Sequence, residues 1–131
     1  MEQAKLYLET YNVVNVALKL NPSFKATNEA IEMNPFFGRK IVKIDENTAI
    51  VALKVEIKNE GNKPFFGEIT IQGTFRCDNW EKSEDGIFLI KQTASAVLFP
   101  YLRHALSDVT SLMNIPAYVL PIVNIQTLFK D

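Results

Sequence analysis

The spacing of apolar residues changes near Asp78, and this change constrains the fold more than any other feature of the sequence. Before Asp78, apolar and polar residues alternate with a period of two, which is typical of strands buried on one face. After it, apolar residues recur every three or four positions, which is typical of amphipathic helices. Strands followed by helices predict an α+β domain. The alternating apolar residues are Val14, Val16, Leu18 and Leu20, then Val51, Leu53, Val55 and Ile57, then Ile69, Ile71, Phe75 and Cys77.

Four strands are predicted in the first part of the chain. Asn21-Pro22 ends the first alternating run, and a weaker run with Ile31 and Met33 on one side follows it. The turn-rich segment 59–64 separates the two longest runs, so we expect these to pair as an antiparallel hairpin. Taken in sequential order, the strands predict a four-stranded antiparallel, meander-like sheet with one covered face.

The tetrapeptide Pro-Phe-Phe-Gly occurs twice, at residues 35–38 and 64–67. Two copies are too few to indicate a repeat architecture. One interpretation is a pair of unrelated turns with buried rings. The other is a pair of exposed aromatic edges.

A long, broken helix is predicted after Asp78. Ser83 is a suitable N-cap because acidic residues follow it in the first turn. Pro100 has no backbone N–H and disfavours a helix interior. We therefore expect one helix to end near Ser95 and another to begin there.

The second helix carries one apolar stripe, which predicts that it lies on an apolar surface. Prolines at positions 116 and 121 then exclude a regular helix, so the C-terminal segment is expected to be extended and packed. The stripe consists of Leu102, Ala105, Leu106, Val109, Leu112 and Met113.

The composition favours one globular domain spanning residues 1–131. Hydrophobic residues make up 47% of the chain and charged residues 22%. A net charge of −1 argues against a protein that binds nucleic acid through phosphate contacts. The N-terminus lacks the pattern of a signal peptide, and no apolar run reaches the ~20 residues that a spanning helix needs. The prediction is a cytoplasmic protein without membrane insertion.

Few residues are suited to catalysis or metal binding. His104 is the only histidine, and Asp108 follows it one helical turn later, a spacing typical of a surface pair. Cys77 lies on the apolar side of its strand and is interpreted as a small buried hydrophobic residue. No group of His, Cys or carboxylate residues has metal-ligand spacing, and no glycine-rich loop could hold a phosphate. We therefore predict no enzymatic activity, no catalytic residues, no metal and no cofactor.

Two segments resemble a known family. The sequence Val-Leu-Phe-Pro-Tyr-Leu-Arg at residues 97–103 resembles the I-L-F-P-Y-A-R signature that opens the long helix of SecB-type protein-export chaperones. Pro116, Leu120-Pro121 and the segment 123–129 are similar to the P-x-L-x-L-x-P-V-N-F-x-x-L-F segment of that family, with one inserted residue. The order of predicted elements also agrees.

The resemblance implies a SecB-like fold and a function in binding clients. SecB-type proteins are cytoplasmic homotetramers, built as dimers of dimers, that bind unfolded polypeptides in apolar surface grooves without ATP. Residues 24–33 resemble the groove-lining W-x-P-x-V-x-L-D-L strand when one insertion is allowed, although ordinary strand core remains an open alternative. The implied client-binding residues are Phe24, Ile31, Met33, Tyr118 and Leu120. Those implied at the oligomer interface are Leu102, Leu106, Val109 and Leu112.

The C-terminus departs from the family pattern. Typical members continue into a further helix and an acidic tail that contacts the motor SecA, whereas this sequence ends at Asp131. The resemblance therefore does not extend to coupling with SecA, and the client could be general or one dedicated protein such as an antitoxin. Two alternatives stay open: a SecB-fold adaptor or structural oligomer that binds a folded partner, and a carrier of an apolar small molecule.

Overall fold

The computed structural model describes residues 4–121 and 123–129. They form one four-stranded antiparallel sheet, a long helical segment on one face of it, and a C-terminal segment beside that helix. This confirms the predicted α+β class with an antiparallel sheet. The strands are β1 (Tyr7–Leu20), β2 (Phe36–Lys43), β3 (Thr48–Ile57) and β4 (Phe65–Arg76).

The strands lie in the order β1-β4-β3-β2. The meander that we predicted holds for β2, β3 and β4, including the β3–β4 hairpin. It does not hold for β1, which pairs with β4 instead of β2 because the long connection 21–35 carries the chain from one edge of the sheet to the other. Both outer strands consequently have one edge unpaired within the sheet.

The second strand does not lie where the sequence placed it. Ile31 and Met33 belong to the connection 21–35, and β2 begins only at Phe36. Asn34 has a φ of 48° and Pro35 lacks a backbone donor, so a strand cannot continue through this point. The expected strand at 30–33 is therefore wrong.

Both Pro-Phe-Phe-Gly segments begin strands and are not turns. Phe65 opens β4 and is 2% exposed, whereas Phe36 opens β2 and is 48% exposed. The two copies thus divide between the two interpretations, with one buried ring and one exposed aromatic edge.

Alternation in β3 and β4 gives the sheet an inner face and an outer face. On β3 and β4 the inner face is buried by the long helix, as the period of two predicted. Its fully buried members include Val51, Leu53, Ile69, Ile71 and Phe75. No helix in the described part of the chain is long and apolar enough to cross a membrane.

The long helix begins as predicted but continues through Ser95, where we expected one helix to end and another to begin. Ser83 caps it, since its Oγ accepts a hydrogen bond from the Gly86 N–H at 2.9 Å. Three stretches follow without interruption: α1 (Glu84–Phe88), a π-helical turn (Leu89–Thr93) and α2 (Ala94–Leu112).

Pro100 lies inside α2. Pro100 and Ala96, the residue whose carbonyl loses its hydrogen bond, are both exposed, so water can satisfy that carbonyl. The irregularity lies earlier, in the π-helical turn. There Ser95 Oγ donates to the Lys91 carbonyl at 2.8 Å, and Arg39 Nη1 donates to the same carbonyl at 2.6 Å.

The apolar stripe of α2 is divided between the core and the surface. Leu102 and Leu106 are completely buried against the sheet, so they belong to the core of the chain. This corrects the prediction that both side chains contact another chain directly. Val109 is half-buried. Leu112 is 85% exposed at the end of the helix.

The C-terminal segment is extended and packed, as predicted, but ends in an unpredicted short helix, α3 (Ile125–Leu128). Two side chains of α2 hold this segment. Arg103 Nε donates to the Leu120 carbonyl at 2.8 Å, and the Tyr118 N–H donates to Thr110 Oγ1 at 2.9 Å. Leu120 and Phe129 are buried as a result.

Candidate functional site

Three segments from distant parts of the sequence meet at one end of the sheet. These are the connection 21–35, the β3–β4 turn and the segment after α2. The Asn21 N–H donates to the Pro64 carbonyl at 2.9 Å, and Asn21 Nδ2 donates to the Lys63 carbonyl at 2.8 Å. The turn therefore holds the start of the connection.

A reciprocal pair of hydrogen bonds fixes the connection further along. The Lys25 N–H donates to Asn62 Oδ1 at 2.9 Å, and Asn62 Nδ2 donates to the Lys25 carbonyl at 2.7 Å. One asparagine side chain thus satisfies both backbone groups of Lys25. This arrangement gives residues without regular structure a defined position.

An open cleft of about 600 Å³ lies between the connection and the turn, and we call it the loop cleft. Its apolar surface comes from Ala30, Ile31 and Phe36, of which Ile31 is 38% exposed. Carboxylates of the connection and the turn surround this surface. The lining residues are Thr27, Glu29, Ala30, Ile31, Glu32, Asn34, Phe36, Glu60, Gly61, Asn62 and Lys63.

Two lysines support the cleft from its walls. Lys63 is 6% exposed, and its Nζ donates to the Lys58 carbonyl at 3.1 Å. The Lys58 Nζ lies 4.1 Å from the centre of the Phe36 ring, a cation–π contact that orients this ring. The exposed aromatic edge is therefore held in place.

Tyr118 lies at the same end of the sheet. Its ring packs edge-on against Phe65, with 5.9 Å between the ring centres. Burial raises the pKa of the Tyr118 hydroxyl. Leu120, only two residues further on, is completely buried. We had expected Leu120 to contact clients directly, but its side chain belongs to the core.

The predicted client-binding residues thus separate into two groups. One lies in the connection 21–35, and the other, Tyr118 and Leu120, follows α2. Ile31 lines the loop cleft, and Phe24 and Met33 are half-buried in the same connection. Phe36 and the turn residues were not predicted for this site. The second interpretation of Pro-Phe-Phe-Gly, an exposed aromatic edge, was the sequence signal that pointed to Phe36.

A second apolar surface covers the inner side of β1 and the neighbouring side of α2, and we call it the β1 surface. Tyr11, Val13, Val16, Val97 and Tyr101 form it, each between 37% and 49% exposed. Tyr11 and Tyr101 stack with 4.2 Å between ring centres, which joins the strand to the helix. The β1 edge beside this surface is unpaired within the sheet.

Reactive side chains are scattered and not convergent. His104 Nε2 lies 3.0 Å from Asp108 Oδ2, and the two side chains are 75% and 67% exposed, so they form a surface pair as the spacing indicated. Cys77 is buried, as predicted, and burial raises the pKa of its thiol. Residues 4–121 and 123–129 contain no group of three or more His, Cys, Asp or Glu arranged to hold a metal ion.

Comparison of sequences finds one family. SecB, described as preprotein translocase subunit SecB, matches residues 8–131. The protein-export protein SecB of Acinetobacter baylyi is 31% identical over 102 residues, and this match covers 76% of the chain and 66% of that relative. The chain therefore spans less than two thirds of the length of this curated relative. An uncharacterized protein of Methanocaldococcus jannaschii is 29% identical over 135 residues, covering 96% of this chain and 83% of that one.

Comparison of structures finds the same fold. A SecB-like chaperone of Mycobacterium tuberculosis, solved in complex with a ChAD peptide from the HigA1 antitoxin, superimposes with a TM-score of 0.71. The match covers 90% of each chain at 12% sequence identity. A protein of unknown function from Streptococcus agalactiae matches with a TM-score of 0.52 at 13% identity, covering 92% of this chain and 100% of that chain.

Proposed function

Because the chain belongs to the SecB family, we propose that it is an ATP-independent chaperone that binds unfolded or non-native polypeptides and keeps them from aggregating. The observation that carries this proposal is the loop cleft. It combines exposed apolar side chains with backbone segments that are held in place by hydrogen bonds. We assign no residue a catalytic role.

The loop cleft suits an extended, unfolded segment better than a folded surface. It is open to solvent, and its volume of about 600 Å³ is large enough for several side chains. Ile31 and Phe36 offer apolar contacts that require no particular client sequence, and the surrounding glutamates suit client segments that do not carry excess negative charge. Phe24, Met33 and Tyr118, at the same end of the sheet, would extend the apolar surface.

Aggregation of an unfolded model protein tests this proposal. The chain, added in roughly stoichiometric amount without nucleotide, should suppress light scattering. An Ile31→Asp variant should suppress it poorly, because a charge is placed on the apolar surface of the cleft. The matched control is Ile44→Asp, since Ile44 is exposed at the opposite end of the sheet. Equal suppression by both variants, or none by the unmodified chain, would contradict the proposal.

A chaperone of this kind can serve many unfolded clients or one dedicated client. The M. tuberculosis protein with this fold was solved with a peptide from an antitoxin, which makes a dedicated client a reasonable alternative to general export. Measuring the affinity for several unfolded proteins distinguishes a general chaperone from a dedicated one. A general chaperone should bind several unrelated unfolded proteins with similar affinity, whereas a dedicated one should bind a single partner far more tightly. If only a folded partner binds, the function is that of an adaptor.

We propose that the chain assembles into a homotetramer, a dimer of dimers, through the β1 surface and the C-terminal end of α2. Several apolar side chains on β1 are about half exposed beside an unpaired strand edge, which is costly for an isolated chain. Leu112, at 85% exposed, and the half-buried Val109 extend this apolar area. Multi-angle light scattering should give a mass of four chains, and a monomeric mass would contradict the proposal.

A further inference from the structure

The outer face of the sheet, opposite the long helix, has a composition unlike that of the other surfaces. Strand register places its residues in rows that cross all four strands. Three successive rows in the middle contain hydroxyl, amide, small and apolar side chains together with two lysines. From β1 to β2 these rows are Asn15, Thr70, Lys54 and Gly38; Asn12, Gln72, Ala52 and Lys40; and Thr10, Thr74, Ile50 and Val42.

Charge is segregated on this face. The chain as a whole carries a net charge of −1, yet none of the twelve positions in the three middle rows holds a carboxylate. Glu56 and Glu68 lie opposite each other in the adjacent row with Phe36, and Glu9 lies in the β1 bulge next to Thr10. The middle of the outer face is therefore positive within a slightly acidic protein.

A shallow depression of about 340 Å³ lies between the two lysines. Gly38 and Ala52 occupy one diagonal of it and leave space, while Lys40 and Lys54 occupy the other. The Thr70 hydroxyl lies at its border. The depression thus combines an open floor with two cationic side chains and a hydroxyl group.

The positive charge of the two lysines is only weakly compensated. Lys54 Nζ lies 3.9 Å from Glu68 Oε2, at the limit of an ion pair, and both side chains are exposed. Within the described residues Lys40 forms no ion pair. A carboxylate of a binding partner would therefore not have to displace a strong ion pair of either lysine.

We propose that the outer face of the sheet binds an acidic, extended segment of a partner polypeptide, with carboxylates on Lys40 and Lys54 and a side chain in the depression. Charge complementarity favours this occupant. A peptide strand could also exchange hydrogen bonds with the neighbouring Asn, Gln and Thr side chains. The surface lies on the opposite face of the sheet from the β1 surface. It shares no lining residue with the loop cleft, although Phe36 of that cleft stands in the adjacent row, so it adds a second binding activity to the proposed function.

An acidic peptide fits this face better than a nucleic acid. Phosphate-backbone binding usually depends on several Lys and Arg contacts, and the two lysines here stand among uncharged residues. Carboxylates spaced along a short segment match two lysines on neighbouring strands more closely.

Fluorescence anisotropy with a short labelled peptide of alternating Glu and Ser tests the proposal. The unmodified chain should bind it at low salt, and binding should weaken as salt is added. Lys40→Glu with Lys54→Glu should lower the affinity by about tenfold or more, since each reversal replaces an attraction by a repulsion. Gly38→Leu, which fills the depression and leaves both lysines, should also weaken binding.

Lys82→Glu is the control, because Lys82 is exposed on the 3₁₀ turn Trp80–Lys82, away from the sheet face. Circular dichroism of the variants reports whether they fold. Equal binding by the lysine double variant and the control would overturn the proposal, as would equal binding of a peptide with Lys in place of Glu or of an oligo-dT strand. Aggregation suppression should be unchanged in the double variant, so failure here is distinguishable from failure of the loop-cleft proposal.

Discussion

Among single residues, Gly67 shows how closely β4 approaches the edge strand β1. Its φ is +131°, a region that other residues rarely adopt. A Cβ on this residue would also collide with the Ala17 carbonyl oxygen of β1. The pairing of β1 with β4 thus depends on the absence of a side chain at this position.

We predict that Gly67→Ala lowers the free energy of unfolding by about 3 kcal/mol or more, because strain in φ adds to a backbone collision. Gly61→Ala is the matched control. Gly61 also has a positive φ but has no atom within 4 Å of the added Cβ, and it should lose only about 1 kcal/mol. Urea denaturation measures both, and similar losses would show that the close contact is unimportant.

Thr110 joins the long helix to the C-terminal segment. Its hydroxyl donates to the Leu106 carbonyl at 2.9 Å and accepts from the Tyr118 N–H. Thr110→Val keeps the shape but leaves that N–H without its partner, which should cost about 1–2 kcal/mol. Ser107→Ala, on the same helix, should change the free energy of unfolding by less than about 0.5 kcal/mol. Equal losses measured by urea denaturation would contradict this role.

Sequence patterns identified many buried residues but not these contacts. Alternation predicted the burial of Leu53 and Ile71, and of Cys77 one residue beyond the end of β4, because each follows from the pattern of its own segment. The roles of Gly67 and Thr110 depend on partners far away in the sequence. The side chains of Leu102, Leu106 and Leu120 suit either a core or an interface. Only the packing of the chain shows that they belong to the core.

Among the secondary-structure elements, β3, β4 and the long helix have strong periodicity and were predictable. The place of β1 in the sheet and the bounds of β2 were not. In β2 the inner positions include Arg39, which disrupts the apolar alternation. Its guanidinium reaches the Lys91 carbonyl of the π-helical turn and lies 5.3 Å from the centre of the Phe129 ring. A charged side chain is stable at this inner position because of partners that local patterns do not show.

Replacing Pro100 tests whether α2 requires its proline. Pro100→Ala restores the hydrogen bond to the Ala96 carbonyl and removes the ring from the helix interior, so it should stabilise the chain by about 1 kcal/mol. Pro22→Ala is the contrast, since Pro22 lies in the exposed turn after β1 and its loss should destabilise by up to about 1 kcal/mol. If thermal unfolding shows destabilisation in both variants, α2 requires its proline.

At the scale of the whole molecule, the β1 surface determines assembly in our proposal. Val16→Lys places a charge in the middle of this surface, where Val16 is 49% exposed, and should shift the tetramer to smaller species. Val42→Lys is the control, because Val42 is 40% exposed on the outer face of the opposite edge strand. Light scattering should show a reduced mass for Val16→Lys alone. An unchanged mass would exclude the β1 surface as the interface.

The loop cleft could not be located from sequence alone. Its walls come from residues 27–36 and 60–63, and the Lys25–Asn62 hydrogen bonds that join them connect segments 37 positions apart. The resemblance to the SecB family predicted Ile31 as a client-binding residue, and the structure places it on the wall of the loop cleft. It gave no indication of Phe36 or of the β3–β4 turn, because neither belongs to the matching motif.

Photo-crosslinking of an unfolded client from defined positions tests most directly whether clients bind in the loop cleft. A photoreactive residue in place of Ile31 should crosslink the client without nucleotide, and competition with an unlabelled unfolded chain should abolish the product. The same residue in place of Ile44, which is 53% exposed at the far end of the sheet, should give little product. Crosslinking from position 44 and not from position 31 would contradict the assignment of client binding to the loop cleft.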